Sequence, residues 1–232
     1  MKSSFLLFSA AVIGSAFVAS PALAEEKDGQ GWYGTAGIGF VAPNNPTGDE
    51  CQMILASNVC VDYDFSFDTG LSGEIGVGYD FGQFRIEGTY VRNNTSMNNI
   101  STDGSVDNVK YATFSTDVND GNANLNSFMV NGYIDFDTKS KFVPYLGGGI
   151  GYTNVNFSSY NVKVSGYEVE SGEGSANTFG YQAKAGISYL ASDNIDIFGE
   201  ATFFGTTGFS IETANVDGVT SWGARGGVRY RF

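Results

Sequence analysis

The stretch GLSGEIGVGYDFGQFRIEGTYVRN, from Gly70 to Asn93, decides the fold. Its alternate positions carry Leu71, Ile75, Val77, Tyr79 and Phe81, and then Phe84, Ile86 and Tyr90. The positions between them carry Glu74, Asp80, Arg85 and Glu87. A period of two marks an extended strand with one apolar and one polar face. The two runs are separated by only 2 residues, Gly82 and Gln83, which fits a tight hairpin.

Read outward from this hairpin, the chain holds eight such runs. They are Trp32 to Val41, Gly70 to Phe81, Phe84 to Asn93, Asn124 to Phe136, Phe142 to Val155, Asn177 to Leu190, Ile195 to Phe204 and Val219 to Phe232. Most exceed the usual soluble strand and match the roughly 9 to 11 residues that cross a bilayer at a tilt. The gaps after the first, third, fifth and seventh runs hold 28, 30, 21 and 14 residues, whereas those after the second, fourth and sixth hold 2, 5 and 4. An antiparallel meander places alternate connections at opposite ends, so all long loops fall on one side and all tight turns on the other. That is the arrangement of an outer-membrane barrel, with short periplasmic turns and long extracellular loops.

The apolar face continues through Ala36, Ile38 and Phe40, then Phe128, Val130, Ile134 and Phe136, and so on to Val228, Tyr230 and Phe232. Arg92 is its single charge. The other face holds Asp135, Lys184, Asp196, Glu200, Arg225, Arg229 and Arg231 besides the four charges of the first hairpin. Alternation alone would also describe a lipocalin-like barrel or a sandwich with its apolar face inward. Three features favour the inverted arrangement. Aromatic rings gather near both ends of the apolar face, as interfacial girdles do. The charged face is rich in Gly, including Gly76, Gly78, Gly147, Gly149 and Gly151, which suits a crowded narrow interior. The chain also stops on an apolar strand residue, Phe232.

Composition agrees. The 232 residues include 32 Gly, 19 Phe and 13 Tyr, and 25 acidic side chains face 12 basic ones for a formal charge of -13. By bulk electrostatics that balance argues against nucleic acid or an anionic lipid headgroup as a partner. With His at 0, imidazole is absent from any triad, zinc site or proton relay. The Gly147 to Gly151 run lacks the GK[ST] ending and the helix of a phosphate loop. No cofactor or metal site is expected, and no Asp spacing matches an EF-hand.

Residues 1–24 read as a secretory signal peptide: Lys2, an apolar stretch from Phe5 to Val18, and Pro21-Ala22-Leu23-Ala24 before Glu25, with cleavage expected after Ala24. The mature barrel domain would then span 25–232. Export implies oxidising conditions, under which Cys51 and Cys60 are expected to close a loop disulfide.

The signal segment, the eight strands, the segment Val143-Pro144-Tyr145-Leu146-Gly147-Gly148-Gly149-Ile150-Gly151-Tyr152 and the ending Gly226-Gly227-Val228-Arg229-Tyr230-Arg231-Phe232 resemble the opacity-protein-like outer-membrane β-barrels of the OmpA and OmpX type. The resemblance implies an all-β, eight-stranded antiparallel up-and-down transmembrane barrel. It also implies that Val228, Tyr230 and Phe232 form the signal read by the barrel-assembly machinery. An eight-stranded barrel has room only for its own side chains, so Glu74, Arg85, Glu87, Lys184, Glu200 and Arg225 are expected to form a charge network that fills the lumen. Asp80, Asp135, Arg229 and Arg231 are expected at the periplasmic mouth, facing water.

The long loops carry a summed charge of -12, with Asp49, Glu50, Asp62, Asp64 and Asp68 in the first. The stretches Asn161 to Val164 and Tyr167 to Glu170 also alternate, which leaves a ten-stranded count open. The expected function is that of a non-enzymatic structural and surface-interaction barrel in a Gram-negative outer membrane. It would contact membrane lipid and lipopolysaccharide, and its loops a host or neighbouring-cell ligand. The alternative is a small, porin-like diffusion channel for ions or small solutes.

Overall fold

The computed structural model describes residues 30–54, 57–158, 160–164, 167–171, 173–211 and 214–232. The expected signal segment and its cleavage point Ala24 lie outside the described residues. Eight strands form a closed antiparallel ring: β1 (Gly31–Pro43), β4 (Gly70–Asp80), β5 (Phe84–Val106), β6 (Val109–Asp135), β7 (Phe142–Phe157), β10 (Gly174–Leu190), β11 (Ile195–Thr206) and β14 (Thr220–Arg231). Each pairs with its neighbour, and β1 closes the ring on β14 from Tyr33↔Arg231 to Pro43↔Ser221. Closure matters because lipid offers no hydrogen-bonding partner to a free strand edge.

The apolar stripe faces outward. Ile38, Ile75, Val77, Ile86, Val130 and Ile150 are all more than half exposed, while Glu74, Arg85 and Lys184 are buried. Rings cluster at two levels. Trp32, Tyr79 and Phe81 meet near the short turns, as do Phe142 with Tyr189 and Tyr230 with Phe232. At the other end Tyr90 meets Phe128, and Phe203 meets both Tyr181 and Trp222. These are the two interfacial girdles of a barrel held in a bilayer.

The short turns follow local chemistry. Between β4 and β5, Gly82 adopts φ 101° and its N–H reaches Asp80 Oδ1 at 2.7 Å. In the next turn, Lys139 donates its backbone N–H to Asp137 Oδ1 at 2.8 Å.

The long connections are themselves strands. β5 and β6 run far past Asn93 and Asn124, where the alternation of the sequence ends, and meet at Asp107-Asn108. Both turn residues have positive φ, 48° and 65°, the geometry of a two-residue hairpin turn. β2 (Thr47–Ile54) and β3 (Ser57–Phe67) form a second hairpin, with Cys51 directly opposite Cys60 and disulfide-bonded to it. β3 then adds to the extended β5, and Phe65 and Phe67 pack on Met97 and Ile100. β12 (Phe209–Ile211) and β13 (Ala214–Val216) pair with one another, and β13 pairs with β2. β8 (Tyr160–Val164) and β9 (Tyr167–Ser171) form a hairpin on β6. None of these six strands enters the ring, so the ten-stranded alternative is resolved in favour of eight.

Glycine on the inner face makes room for tyrosine. Tyr33, Tyr133 and Tyr145 point inward, each directly across from a glycine: Gly78, Gly147 and Gly186. A Cβ at Gly147 would stand 2.3 Å from Tyr133 Cδ1, and one at Gly186 would stand 2.5 Å from Tyr145 Cζ. Gly73, on the outer face, meets nothing within 4 Å. Gly147→Ala should therefore destabilise the barrel by about 1 to 3 kcal/mol through overpacking, while Gly73→Ala should be close to neutral. Urea midpoints in lipid vesicles, followed by the shift between folded and heat-unfolded gel migration, would separate the two.

Candidate functional site

The lumen is filled in layers, and β-sheet alternation puts each layer there. Nearest the short turns, Arg85 makes a two-pronged contact with Asp135, Nε to Oδ2 at 2.6 Å and Nη2 to Oδ1 at 2.9 Å. Its guanidinium lies 4.5 Å from the centre of the Tyr133 ring and 5.2 Å from that of Tyr145. Asp196, fully buried, accepts from Arg231 at 2.6 Å and Arg229 at 3.3 Å. Sequence reasoning set Asp80, Asp135, Arg229 and Arg231 in a wet mouth. Asp80 and Arg229 are instead buried, at 5% and 4% exposure: Arg229 lies against the Tyr33 ring and donates to Asp196, and Asp80 accepts the Gly82 N–H inside the turn.

One turn of the ladder further in lies a neutral quartet. Lys184 Nζ reaches both carboxylate oxygens of Glu74 at 2.7 Å and lies 3.6 Å from Glu200. Arg225 Nη1 lies 2.8 Å from Glu74 and 3.2 Å from Glu200, and Nη2 donates to Ser72 Oγ at 3.0 Å. Tyr145 donates to Glu200 at 2.9 Å. Two cations thus face two anions in a space where one unmatched charge would be costly.

The two remaining residues assigned to the network sit beside this quartet. Arg85 belongs to the Asp135 layer. Glu87 accepts from the Tyr133 hydroxyl at 2.9 Å, and that hydroxyl accepts from Lys184 at 3.1 Å. The phenol therefore relays between Glu87 and the nearest ammonium. The three tyrosines were not singled out in the sequence, although they lie in phase with the inward charges, Tyr133 two residues before Asp135.

Above the quartet comes an uncharged polar layer, in which Gln182 donates to Asn131, Asn131 donates to Thr89, and Ser127 bonds Thr153. In the outer third of the lumen an apolar cluster forms among buried Asn93, Thr95, Thr206 and Ser221: Val91, Leu125, Met129, Val155, Phe204 and Val219 pack together under Phe209 and Val216 of the β12–β13 hairpin. The sequence offered one sign of this plug: near the loop ends the inward positions turn apolar, as at Val91, Leu125 and Val155, while their outward neighbours Arg92, Asn126 and Asn154 are polar. A cavity of about 20 Å³ bordered by Val41, Leu125 and Val219 is the void at that level, room for about one water molecule.

Outside the membrane, the first hairpin lines up acids across three strands. Asp49 lies opposite Asp62, and Asp62 opposite Asp103. Asp103 is held by Lys110 at 2.5 Å and Thr113 at 2.6 Å. The hydrogen bond from Lys110, with that from Thr113, keeps the Asp103 carboxyl below its ordinary range, and the Asp103 partner raises Lys110. At the far end of the chain, Val228, Tyr230 and Phe232 project outward, each at least half exposed.

Lys184→Met should cost roughly 3 to 5 kcal/mol by leaving Arg225 alone to balance both Glu74 and Glu200, and adding Glu74→Gln should recover much of the loss; denaturation in vesicles measures both. The Asp103–Lys110 pair should support the hairpin tip above the ordinary carboxylate pKa and below the ordinary lysine pKa. Its contribution should fade as pH falls through the lowered value of Asp103 or rises through the raised value of Lys110. In Lys110→Ala the Asp103 titration, followed by NMR, should move up.

Comparison with known proteins agrees with this architecture. Over 73 residues, 32% of this chain, the sequence is 36% identical to the outer membrane protein PagN of Salmonella typhimurium, and the match spans 30% of that protein's length. The outer membrane protease OmpT of Escherichia coli superposes with a TM-score of 0.53 at 6% identity, over 92% of this chain and 100% of that one, a likeness of fold alone. Neisserial surface protein A aligns with a TM-score of 0.48 at 21% identity, over 87% of this chain and 97% of that one. The model of the outer membrane protein beta-barrel domain matches residues 8–232. A closed ring of eight strands, apolar outside and charged within, over nearly the whole length of that match, makes this chain a member of the outer-membrane β-barrel family, resident in the outer membrane.

Proposed function

We propose that this barrel is a non-enzymatic structural and surface-interaction protein whose acidic outer hairpins engage cationic groups outside the cell, such as basic patches on a host or neighbouring-cell protein. The observation that carries this reading is the row Asp49–Asp62–Asp103. Like charges set directly opposite one another weaken a sheet, yet here they are held in register by the Cys51–Cys60 disulfide and by pairing to β5. Asp64, one step along the same face, extends the row, and Lys110 is the cation beside it.

The lumen supports the same reading. Its carboxylates are engaged by Lys184, Arg225, Arg85 and tyrosine hydroxyls rather than open to a substrate. Among the described residues the quartet and the apolar plug stand in series along the barrel axis, which weighs against a diffusion channel.

Purified protein in planar bilayers should give no steady conductance. A steady conductance whose ion selectivity changes in Arg225→Ala would favour the channel instead. Binding of a lysine-rich peptide to the reconstituted protein should fall about tenfold when Asp49, Asp62 and Asp64 are changed to Asn, and it should weaken with salt. Unchanged binding would refute the loop assignment.

A further inference from the structure

Lipid covers the exposed apolar side chains of the barrel wall, but it does not reach Met53, Ile54, Val109 and Tyr111. These stand at the far ends of β2 and β6, and all four are more than half exposed. Val109 pairs with Val106, and about 50 Å of strand path separates Val106 from Tyr90 of the outer girdle. Met53, at 80%, is the most exposed large apolar side chain among the described residues. The four gather along one rim, because Gln52, Val59, Val106 and Val109 are directly paired across β2, β3, β5 and β6. Apolar side chains collected in water, far from any membrane, mark a contact surface.

The rim is held in place before any partner arrives. Asn58 donates its backbone N–H to Asp107 Oδ1 at 2.8 Å, and Asp107 donates its own to the Asn58 carbonyl at 2.9 Å, which joins the two hairpin tips. The Cys51–Cys60 disulfide closes β2 on β3 just below. A surface ordered in advance loses little entropy on binding.

The chemistry beside the rim selects the occupant. Met53 alternates in phase with Cys51 and Asp49, so it shares the face of the acid row Asp49, Asp62 and Asp103. Tyr111 follows Lys110 at the register shift between Gly104 and Ser105, on the other side of the same sheet. A second copy of this chain would bring acids against acids. The complement is a surface both basic and apolar. Three carboxylates on adjacent strands span about 10 Å, and two turns of α-helix advance about 11 Å. A helix laid across the strands therefore sets basic side chains at i, i+4 and i+7 over the acids, with its apolar flank toward Met53 and Tyr111. We infer that the outer end of the β2–β3–β5–β6 sheet docks a basic amphipathic helix of a peptide or protein outside the cell. Such docking rests on the acidic hairpins engaging cations, as proposed above, and further requires an apolar flank and helical spacing in the partner.

The test uses full-length protein in zwitterionic nanodiscs, with empty nanodiscs as the blank. Three peptides are compared: a lysine and leucine peptide spaced as an amphipathic helix, a scrambled peptide of the same composition, and a polar lysine-rich peptide. Wild type should bind the amphipathic peptide about tenfold more tightly than the scrambled one. Met53→Ser/Tyr111→Ser should erase that preference and leave binding of the polar peptide unchanged, while Asp49→Asn/Asp62→Asn should weaken both the amphipathic and the polar peptide. Equal binding of the amphipathic and scrambled peptides by wild type would overturn the helix docking and leave the cation reading standing, as would a preference that survives Met53→Ser/Tyr111→Ser. Polar-peptide binding indifferent to Asp49→Asn/Asp62→Asn would overturn both. Clustering of protein-bearing nanodiscs that Met53→Ser/Tyr111→Ser abolishes would assign the rim to a second copy instead. The scrambled-peptide arm needs no variant, so a folding defect could not shelter the proposal.

Discussion

Every backbone N–H and C=O that enters hydrocarbon must find its partner within the protein, and the pairing of β1 with β14 meets that demand for the whole chain. Without the closing register from Tyr33 to Pro43, two strand edges would lie open to lipid. Once the ring is closed, the alternation of side chains leaves each residue two destinations. Ile38, Ile75 and Ile86 go to the solvent-like acyl chains, and Glu74, Arg85 and Lys184 go to a lumen too narrow for bulk water. The interior of this molecule is therefore polar by necessity, and its stability depends on how well that polar interior satisfies itself.

The satisfaction is graded along the barrel axis. Near the short turns, Arg85 and Arg229 lie against tyrosine rings and pair with Asp135 and Asp196. At mid-depth the Glu74–Lys184–Glu200–Arg225 quartet balances its charge. Toward the loops the filling becomes uncharged and then apolar. Such a sequence of layers fills the barrel from within, and the row of acids Asp49–Asp62–Asp103 stands beyond it on the outer hairpins.

Much of this was legible in the residues. The hairpin from Gly70 to Asn93 displayed its two faces directly, and the alternation of long and short gaps pointed to eight strands with all tight turns at one end, although the alternating stretches Asn161 to Val164 and Tyr167 to Glu170 left ten open. The inward set was legible from phase alone, but its partners were not. Arg85 joins Asp135, and Glu87 joins a tyrosine, because register shifts between strands decide which charges meet. The outer hairpins were harder to read. The polar, Asn- and Ser-rich run from Asn93 to Asn124 has no apolar alternation, yet it pairs through backbone bonds and a two-residue Asp107-Asn108 turn that periodicity does not register. The apolar plug was obscured for another reason: near the loops the inward positions Val91, Leu125 and Val155 are apolar and the outward Arg92, Asn126 and Asn154 polar, so the rule that reads apolar as outward fails at that level.

The direction of the apolar stripe can be measured with the chain's two tryptophans, Trp32 and Trp222, which stand at opposite girdles and are each 60% exposed on the outer wall. In vesicles of brominated phospholipids, both should be quenched strongly, and more by bromines near the headgroups than by bromines near the bilayer centre. Fluorescence indifferent to every brominated lipid but quenched by aqueous iodide would mean that the stripe does not face the membrane.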